Sequence, residues 1–405
     1  MSKRIASVDV LRGIAVVGMV FSAAIGYASG LPGWMFHCQV PPPDYIFDPT
    51  ASGITWVDMV FPMFIFALGI AIPLSMRRKL DKGYNPLNLF GMTLQRWAIL
   101  VAFGIVLGNS ELKPLIWAGL FAALVRTEWK WLNLAGWGLI ALLLSIQHHI
   151  LDIPFDFRQY DIIIILLARV AFAGGLIWLL TRDLPYVRLA IWLAVIGLKM
   201  AGFDWTQYLI IALPATFVGD LLLTDDSRIR FSKGVPAFIA LGAVFIQLVG
   251  MYNRFVLADG IVTALLGALC FYLDRNRLAL GGFILLLLGI VFDPIDGGIA
   301  KDYCNLSYLF LTCGQSVLFL SFLMWLETKV DLNGFLLRSG QNPMIAYTVA
   351  WFIICPLLTV CGGMEYLKNL SEGSVFFGIL QGVIITGLTV CATNLCTRLK
   401  LFWKS

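Results

Sequence analysis

His37 stands in a short polar stretch, Trp34-Met35-Phe36-His37-Cys38-Gln39, between two apolar runs. An imidazole titrates near neutrality and can serve as a general base or as an acyl-accepting nucleophile. An ordinary interfacial histidine has the same sequence signature. Pro41, Pro42 and Pro43 follow it and stiffen the loop by fixing φ. Asp58 begins the second apolar run, near the same surface as His37. A carboxylate there can orient an imidazole, as in hydrolase triads, or simply suit the positive end of a helix. Asp9 and Arg12, three apart in the first run, share a helix face and can pair. Charges at membrane depth are expensive and usually mark a working site. The alternative is a basic anchor, Arg12, with Asp9 as its surface partner.

Further polar positions lie far along the chain. The stretch from Asp293 to Tyr308 is rich in turn residues and leads into an apolar run. Lys301, Asn305 and Ser307 could donate hydrogen bonds to a sugar or a thioester carbonyl, or the stretch is a loop with a helix cap. Asn342 and Pro343 suit the cap and first position of a late helix. Arg96, with Arg77, Arg78 and Lys79, could bind phosphates, although anionic lipid headgroups explain such a cluster equally well. Arg169 and Lys199 either snorkel or face a cavity. His148 and His149 are adjacent rather than a helical turn apart, and there are only 3 histidines, so no metal site is expected. The 8 cysteines form no CxxC pair; Cys38 and Cys304 could bridge only if both faced an oxidising compartment.

The elements that must position these residues are helices in a bilayer. The chain has 405 residues, 60% of them hydrophobic and 13% charged. Its mean hydropathy is +0.86. A soluble domain carries about twice that share of charge. The basic residues are not pooled, so nucleic acid is not an expected partner. Apolar runs recur at roughly 10–29, 56–76, 93–109, 114–126, 132–148, 161–181, 187–203, 207–224, 234–251, 257–273, 279–292, 304–326, 343–361 and 374–396. Runs 114–126 and 279–292 are short for a bilayer needing about 20 residues per helix, which predicts an all-α polytopic bundle of about 10 to 14 spans. Lys3/Arg4, Arg77-Arg78-Lys79, Arg126/Lys130, Arg182/Arg188, Arg228/Arg230/Lys233, Arg275/Arg277, Lys329/Arg338 and Arg398/Lys400/Lys404 occupy every second loop. That alternation puts both termini in the cytoplasm and loops 30–55, 149–160 and 293–304 outside. Asp9 and Arg12 interrupt what would otherwise resemble a signal peptide, so the first run is expected to be a retained helix. No soluble domain is apparent, and residues 1–405 are expected to form one integral-membrane unit. A homodimer is allowed by this reading.

Four segments together resemble the heparan-α-glucosaminide N-acetyltransferase family of transmembrane acyltransferases. They are Ser7-Val8-Asp9-Val10-Leu11-Arg12-Gly13; the loop histidine His37; Asp58-Met59-Val60-Phe61-Pro62-Met63-Phe64-Ile65-Phe66 with Gly69; and Asn305-Leu306-Ser307-Tyr308 with Gly340-Gln341-Asn342. The resemblance implies acetyl transfer from cytosolic acetyl-CoA to an amino sugar or glycan across the membrane. It makes His37 the catalytic residue, with Asp58 orienting it and Asn305 or Lys301 steadying the acceptor or an oxyanion, and Ser307 nearby. Asp9, Arg12, Arg96 and Asn342 would hold the cofactor. The proline-rich loop after His37 is similar to that of a bacterial branch, which implies the inner membrane. It departs from the shorter loop of the family, as Phe21-Ser22-Ala23-Ala24 departs from a polar position in the first helix. A transporter or carrier of a sugar or glycan precursor, without covalent chemistry, is the competing class.

Overall fold

The computed structural model describes residues 5–224 and 226–403. Lys3, Arg4 and Lys404 of the charge pattern lie outside the described residues. The helices are α1 (Ala6–Ala24), α2 (Trp56–Leu80), α3 (Pro86–Gly108), α4 (Lys113–Leu124), α5 (Lys130–His149), α6 (Ile162–Thr181), α7 (Pro185–Met200), α8 (Leu209–Leu221) and α9 (Gly234–Tyr252). They continue with α10 (Val256–Asp274), α11 (Arg277–Ile295), α12 (Leu306–Leu326), α13 (Phe335–Gln341), α14 (Pro343–Val349), α15 (Cys355–Val360), α16 (Gly363–Ser371) and α17 (Val375–Arg398). The chain is a polytopic helical membrane protein. Among the described residues, 11 helices are long and apolar enough to cross a bilayer, counting Pro343–Val360 as one. Helices α4 and α8 are shorter apolar pieces.

Every apolar run becomes helical, but the ends move where caps decide them. The run read as 279–292 belongs to the 19-residue α11, which starts earlier because Asn276 caps the Ala279 amide at 2.9 Å. Helix α3 starts at Pro86 rather than 93, with Asn85 accepting from the Asn88 amide and Pro86 at the first position. Helix α1 starts before 10 and stops at Ala24, short of 29. Its own N-cap residue, Ile5, offers no side-chain bond. The carboxylate of Glu327 supplies the cap instead, accepting from the amides of Ala6 at 3.2 Å and Ser7 at 3.1 Å. Such a cap joins residues 320 positions apart and leaves no local signal. A π turn at Ala350–Ile354 precedes Pro356, which cannot donate to the helical ladder. Asn342 occupies the cap position of α14, but its side chain makes no capping bond and donates to the Leu401 carbonyl at 2.8 Å. Cys38 and Cys304 are free thiols, so the bridge does not form; Cys304 Sγ faces the Tyr208 hydroxyl at 3.2 Å.

The bundle has two chemically distinct ends. Glu327 meets the start of α1, Arg77 meets Asp183 at 3.7 Å, the Ser232 amide meets Asp274, and the Arg126 amide meets the Phe402 carbonyl. These contacts join loops from the basic set of the sequence pattern at one end. At the other, Asn109 meets Asp156 and Gln159, the Gly53 amide meets Ile299, and Lys199 meets the Tyr303 carbonyl. The first is called here the basic end and the second the histidine end. Lys199 also pairs with Asp204, and Arg169 lies over the Trp205 ring at 5.0 Å, so neither reaches a cavity at the site.

Helices α1 and α13 cross with no side chain between them. A Cβ on Gly13 would lie 1.9 Å from the Leu336 carbonyl oxygen, and one on Gly340 would lie 1.8 Å from the Asp9 carbonyl oxygen. Gly340→Ala must therefore part the two backbones. Its expected cost is about 1–3 kcal/mol, read as a lower melting temperature of the detergent-solubilised protein. Gly138→Ala, where a Cβ meets open space, should leave that temperature unchanged or slightly higher.

Candidate active site

The centre of the histidine end is a buried carboxylate. Asp58 sits in the first turn of α2 in a capping box with Thr55. Its Oδ2 accepts from the Thr55 amide at 3.0 Å and from the Cys38 amide at 3.2 Å. Its Oδ1 lies 2.6 Å from His37 Nδ1. The Asp58 side chain has 0% exposure while that of His37 has 35%, so the imidazole bridges a buried charge and open space. Both sequence readings of Asp58, helix start and imidazole partner, describe one arrangement. With Nδ1–H donating to Asp58, the ring carries its lone pair on Nε2, the tautomer a base requires.

Lys301 approaches from the α11–α12 loop. Its Nζ lies 2.9 Å from His37 Nδ1, 3.3 Å from Nε2 and 3.8 Å from Asp58 Oδ1. Since Nδ1–H is spent on Asp58, Nε2 is the ring atom that can accept from the ammonium. The sequence offered Lys301 as a donor to the acceptor or to an oxyanion; the structure places it against the His37–Asp58 pair itself. Tyr308, fully buried on α12, donates its hydroxyl to the Asp58 carbonyl at 2.8 Å. Its role is invisible in sequence, because a buried tyrosine reads as core.

Asn305 caps α12. Its Oδ1 accepts from the amides of Tyr308 at 3.2 Å and Ala300 at 3.3 Å, and its Nδ2 donates to the Gly298 carbonyl at 2.7 Å. The Ser307 hydroxyl donates to Asn305 Oδ1 at 3.0 Å, and Ser307 has 0% exposure. These two side chains shape the loop that carries Lys301. Ser307, as placed, does not reach a ligand in the open space beside His37.

Asp9, Arg12, Arg96 and Asn342 line one cavity of about 650 Å³ at the basic end. Arg78, Lys79, Lys82 and Arg126 line it too. Arg12 pairs with Asp9 at 3.5 Å and donates to the Gly340 carbonyl at 3.3 Å. Arg96 Nε is buried with no hydrogen-bond partner among the described residues. So many cations against one carboxylate make a site for a polyanion. The sequence singled out Arg96 and the Arg77–Lys79 cluster, but not Lys82 or Arg126 as site residues; Arg126 is brought in by the 402–403 segment, with Trp403 also in the wall. The α2 face in the cavity runs from Arg78 through Ser75, Ala71 and Leu68 to Phe64, with Lys82 in the turn just past the helix end. At 1.5 Å per residue this stripe is about 21 Å long, and it stops about 9 Å below Asp58.

A family described as "Domain of unknown function (DUF5009)" matches residues 4–111 and 126–208. Heparan-alpha-glucosaminide N-acetyltransferase of Mus musculus is 33% identical over 118 residues, 29% of this chain and 16% of that protein. The Homo sapiens protein of the same name is 34% identical over 116 residues, 28% of this chain and 15% of its own length. The chain is similar to these acetyltransferases over that stretch. The kinship rests on less than a third of the chain and spans about a sixth of the relatives' length.

Cys38 follows the histidine and tests whether a thiol could be the reactive group instead. Burial, and then the Asp58 carboxylate, push its thiol up to about 12, against an opposing pull from Arg254. A thiol so shifted stays protonated at neutral pH and is a poor nucleophile. At pH 8 its thiolate fraction is on the order of one in ten thousand. Maleimide at pH 8 should therefore modify the exposed Cys361 quickly and leave Cys38 almost untouched, with Cys38 labelling still rising above pH 10. Mass mapping of the labelled protein checks this.

Proposed function

We propose that the protein is a transmembrane acetyltransferase that moves acetyl from acetyl-CoA at the basic end to an amino sugar or glycan at the histidine end. The observation that carries the reading is the pairing of His37 with the buried Asp58 at one end of α2, and a polycationic cavity running along the same helix from the other. Kinship with acetyltransferases supports it. The basic end would face the cytoplasm, as the loop charges require, in a bacterial inner membrane. The chain would act as one integral-membrane unit.

In this reading the donor's phosphates lie among Arg12, Arg78, Lys82, Arg96 and Arg126, and the unpartnered Arg96 Nε fits that use. Asp9 and Asn342 hold the walls: Asp9 through Arg12, and Asn342 through Leu401. The thioester arm extends along the α2 stripe, and Phe64 turns aside to let the carbonyl reach the histidine end. His37 Nε2 takes a proton from the acceptor amine or hydroxyl as that atom attacks the thioester carbon. The carbon–sulfur bond then breaks, and the imidazolium returns the proton to the leaving thiolate. Asp58 stabilises the imidazolium through Nδ1–H and fixes the tautomer. Lys301 releases Nε2 and turns its ammonium to the developing oxyanion. Asn305 acts as a positioning residue, through the loop that carries Lys301.

Removing a general base usually lowers turnover by about 10²–10⁴-fold. His37→Ala should lose acetyl transfer to glucosamine by that order while binding acetyl-CoA like the wild type, in calorimetry on purified protein. Arg96→Gln combined with Arg126→Gln should do the opposite and weaken acetyl-CoA binding by at least about tenfold, as expected when charged hydrogen bonds to phosphate are lost. Absence of acetyl-CoA binding to folded wild type would remove the acetyltransferase reading in favour of a carrier.

A further inference from the structure

Helix α1 has a second working face. Ile14, Val17 and Phe21 point away from the side bearing Arg12 and, with α13 and α17, enclose a trough of about 1150 Å³. The α17 wall includes Val383, Gly387, Val390, Asn394 and Arg398, one stripe of that helix. It is about 22 Å long at 1.5 Å per residue. Half the hydrocarbon core of a bilayer is about 15 Å. The walls are mostly apolar, and Val383 and Leu395 are 51% and 58% exposed. The trough thus opens on the membrane-facing side of the bundle.

Its charge is confined to one end. Arg338 from α13 and Arg398 from the last turn of α17 both border the trough where it reaches the basic end. Neither guanidinium has an ion-pair or hydrogen-bond partner among the described residues. An apolar slot longer than one leaflet, closed by two uncommitted guanidinium groups at headgroup level, matches an amphiphile with an anionic head. An apolar helix from a second copy of the chain would fill the slot but would offer the arginines no opposite charge.

We infer that this trough is a binding site for an anionic phospholipid of the leaflet at the basic end. The phosphodiester lies between Arg338 and Arg398, and one acyl chain runs along α17 between α1 and α13. The site is separate from the polycationic cavity, since α1 stands between them. It does not depend on the acetyltransferase reading.

The test uses the full chain, delipidated in a neutral detergent. Phosphatidylglycerol and phosphatidylcholine with the same acyl chains are added in turn. Retained lipid is counted by native mass spectrometry and stability is read by thermal shift. Wild type should retain phosphatidylglycerol in preference and melt higher with it than with phosphatidylcholine. The double variant Arg338→Gln/Arg398→Gln should lose that preference, with affinity for phosphatidylglycerol falling about 25-fold, from about fivefold per arginine. Gly387→Trp, where a Cβ meets open space, should block the slot and weaken both lipids while leaving the lipid-free melting temperature unchanged. Equal retention of the two lipids by wild type would overturn the inference, as would a Gly387→Trp variant that binds like wild type. A dimer that Gly387→Trp dissociates, with no headgroup preference, would assign the trough to a second copy instead.

Discussion

A carboxylate with no solvent exposure stands at the start of α2, and burying it unpaired would cost several kcal/mol. Asp58 meets that demand with partners from separate stretches of chain: the Thr55 and Cys38 amides, the His37 ring and the Lys301 ammonium. These bonds draw separate segments to one turn of α2, alongside other anchors such as the Thr55 hydroxyl on the Phe36 carbonyl. The loop after α1 folds back so that His37 and Cys38 reach the helix start. The α11–α12 loop, shaped by Asn305 and Ser307, brings in Lys301. Tyr308 anchors α12 to the same turn of α2. The arrangement around the imidazole is thus a by-product of satisfying one negative charge, and the half-exposed ring is where that network meets open space.

Helix α1 divides the molecule's chemistry by its faces. One side carries Asp9 and Arg12 into the polycationic cavity; the opposite side presents Ile14, Val17 and Phe21 to the apolar trough. Both cavities also take walls from the late part of the chain: Asn342 and Trp403 beside α2 for the first, α13 and α17 for the second. The stretch that aligns with the mammalian acetyltransferases, 118 or 116 residues, is far shorter than the span of chain from which either cavity draws its walls, Ile5 to Trp403 for the first and Ile14 to Arg398 for the second.

What could be read from the sequence follows from the range of the interactions. Apolar runs and alternating loop charges are local, so the helices and the two ends of the bundle were legible. Asn85, Asn276 and Asn305 lie next to the helices they cap; the sequence allows a helix cap in the stretch that holds Asn305, but the asparagine it singles out as a cap is Asn342, whose side chain makes no capping bond. The Glu327 cap on α1, the Lys301 contact with His37 and the Arg126 contact with Phe402 span hundreds of residues and carry no periodic signal. His37 and Asp58 stand out by their residue types and by the family resemblance, whereas Lys301 stands out only as a donor to a ligand and its contact with the imidazole does not. The short helices α13 and α16 escaped because neither is long enough to show an apolar run of membrane length.

The crossing of α1 and α13, backbone against backbone at Gly13 and Gly340, has a mechanical consequence. Alternating-access machines work by rocking one half of a bundle against the other, and such sliding needs an interface of side chains that can exchange partners. At this joint two main chains are in direct contact, the Arg12 guanidinium donates across it to the Gly340 carbonyl, and no side chains lie there to exchange partners. In the proposed reading, a long, flexible acyl donor would reach across the membrane beside this close-packed wall rather than be carried by it.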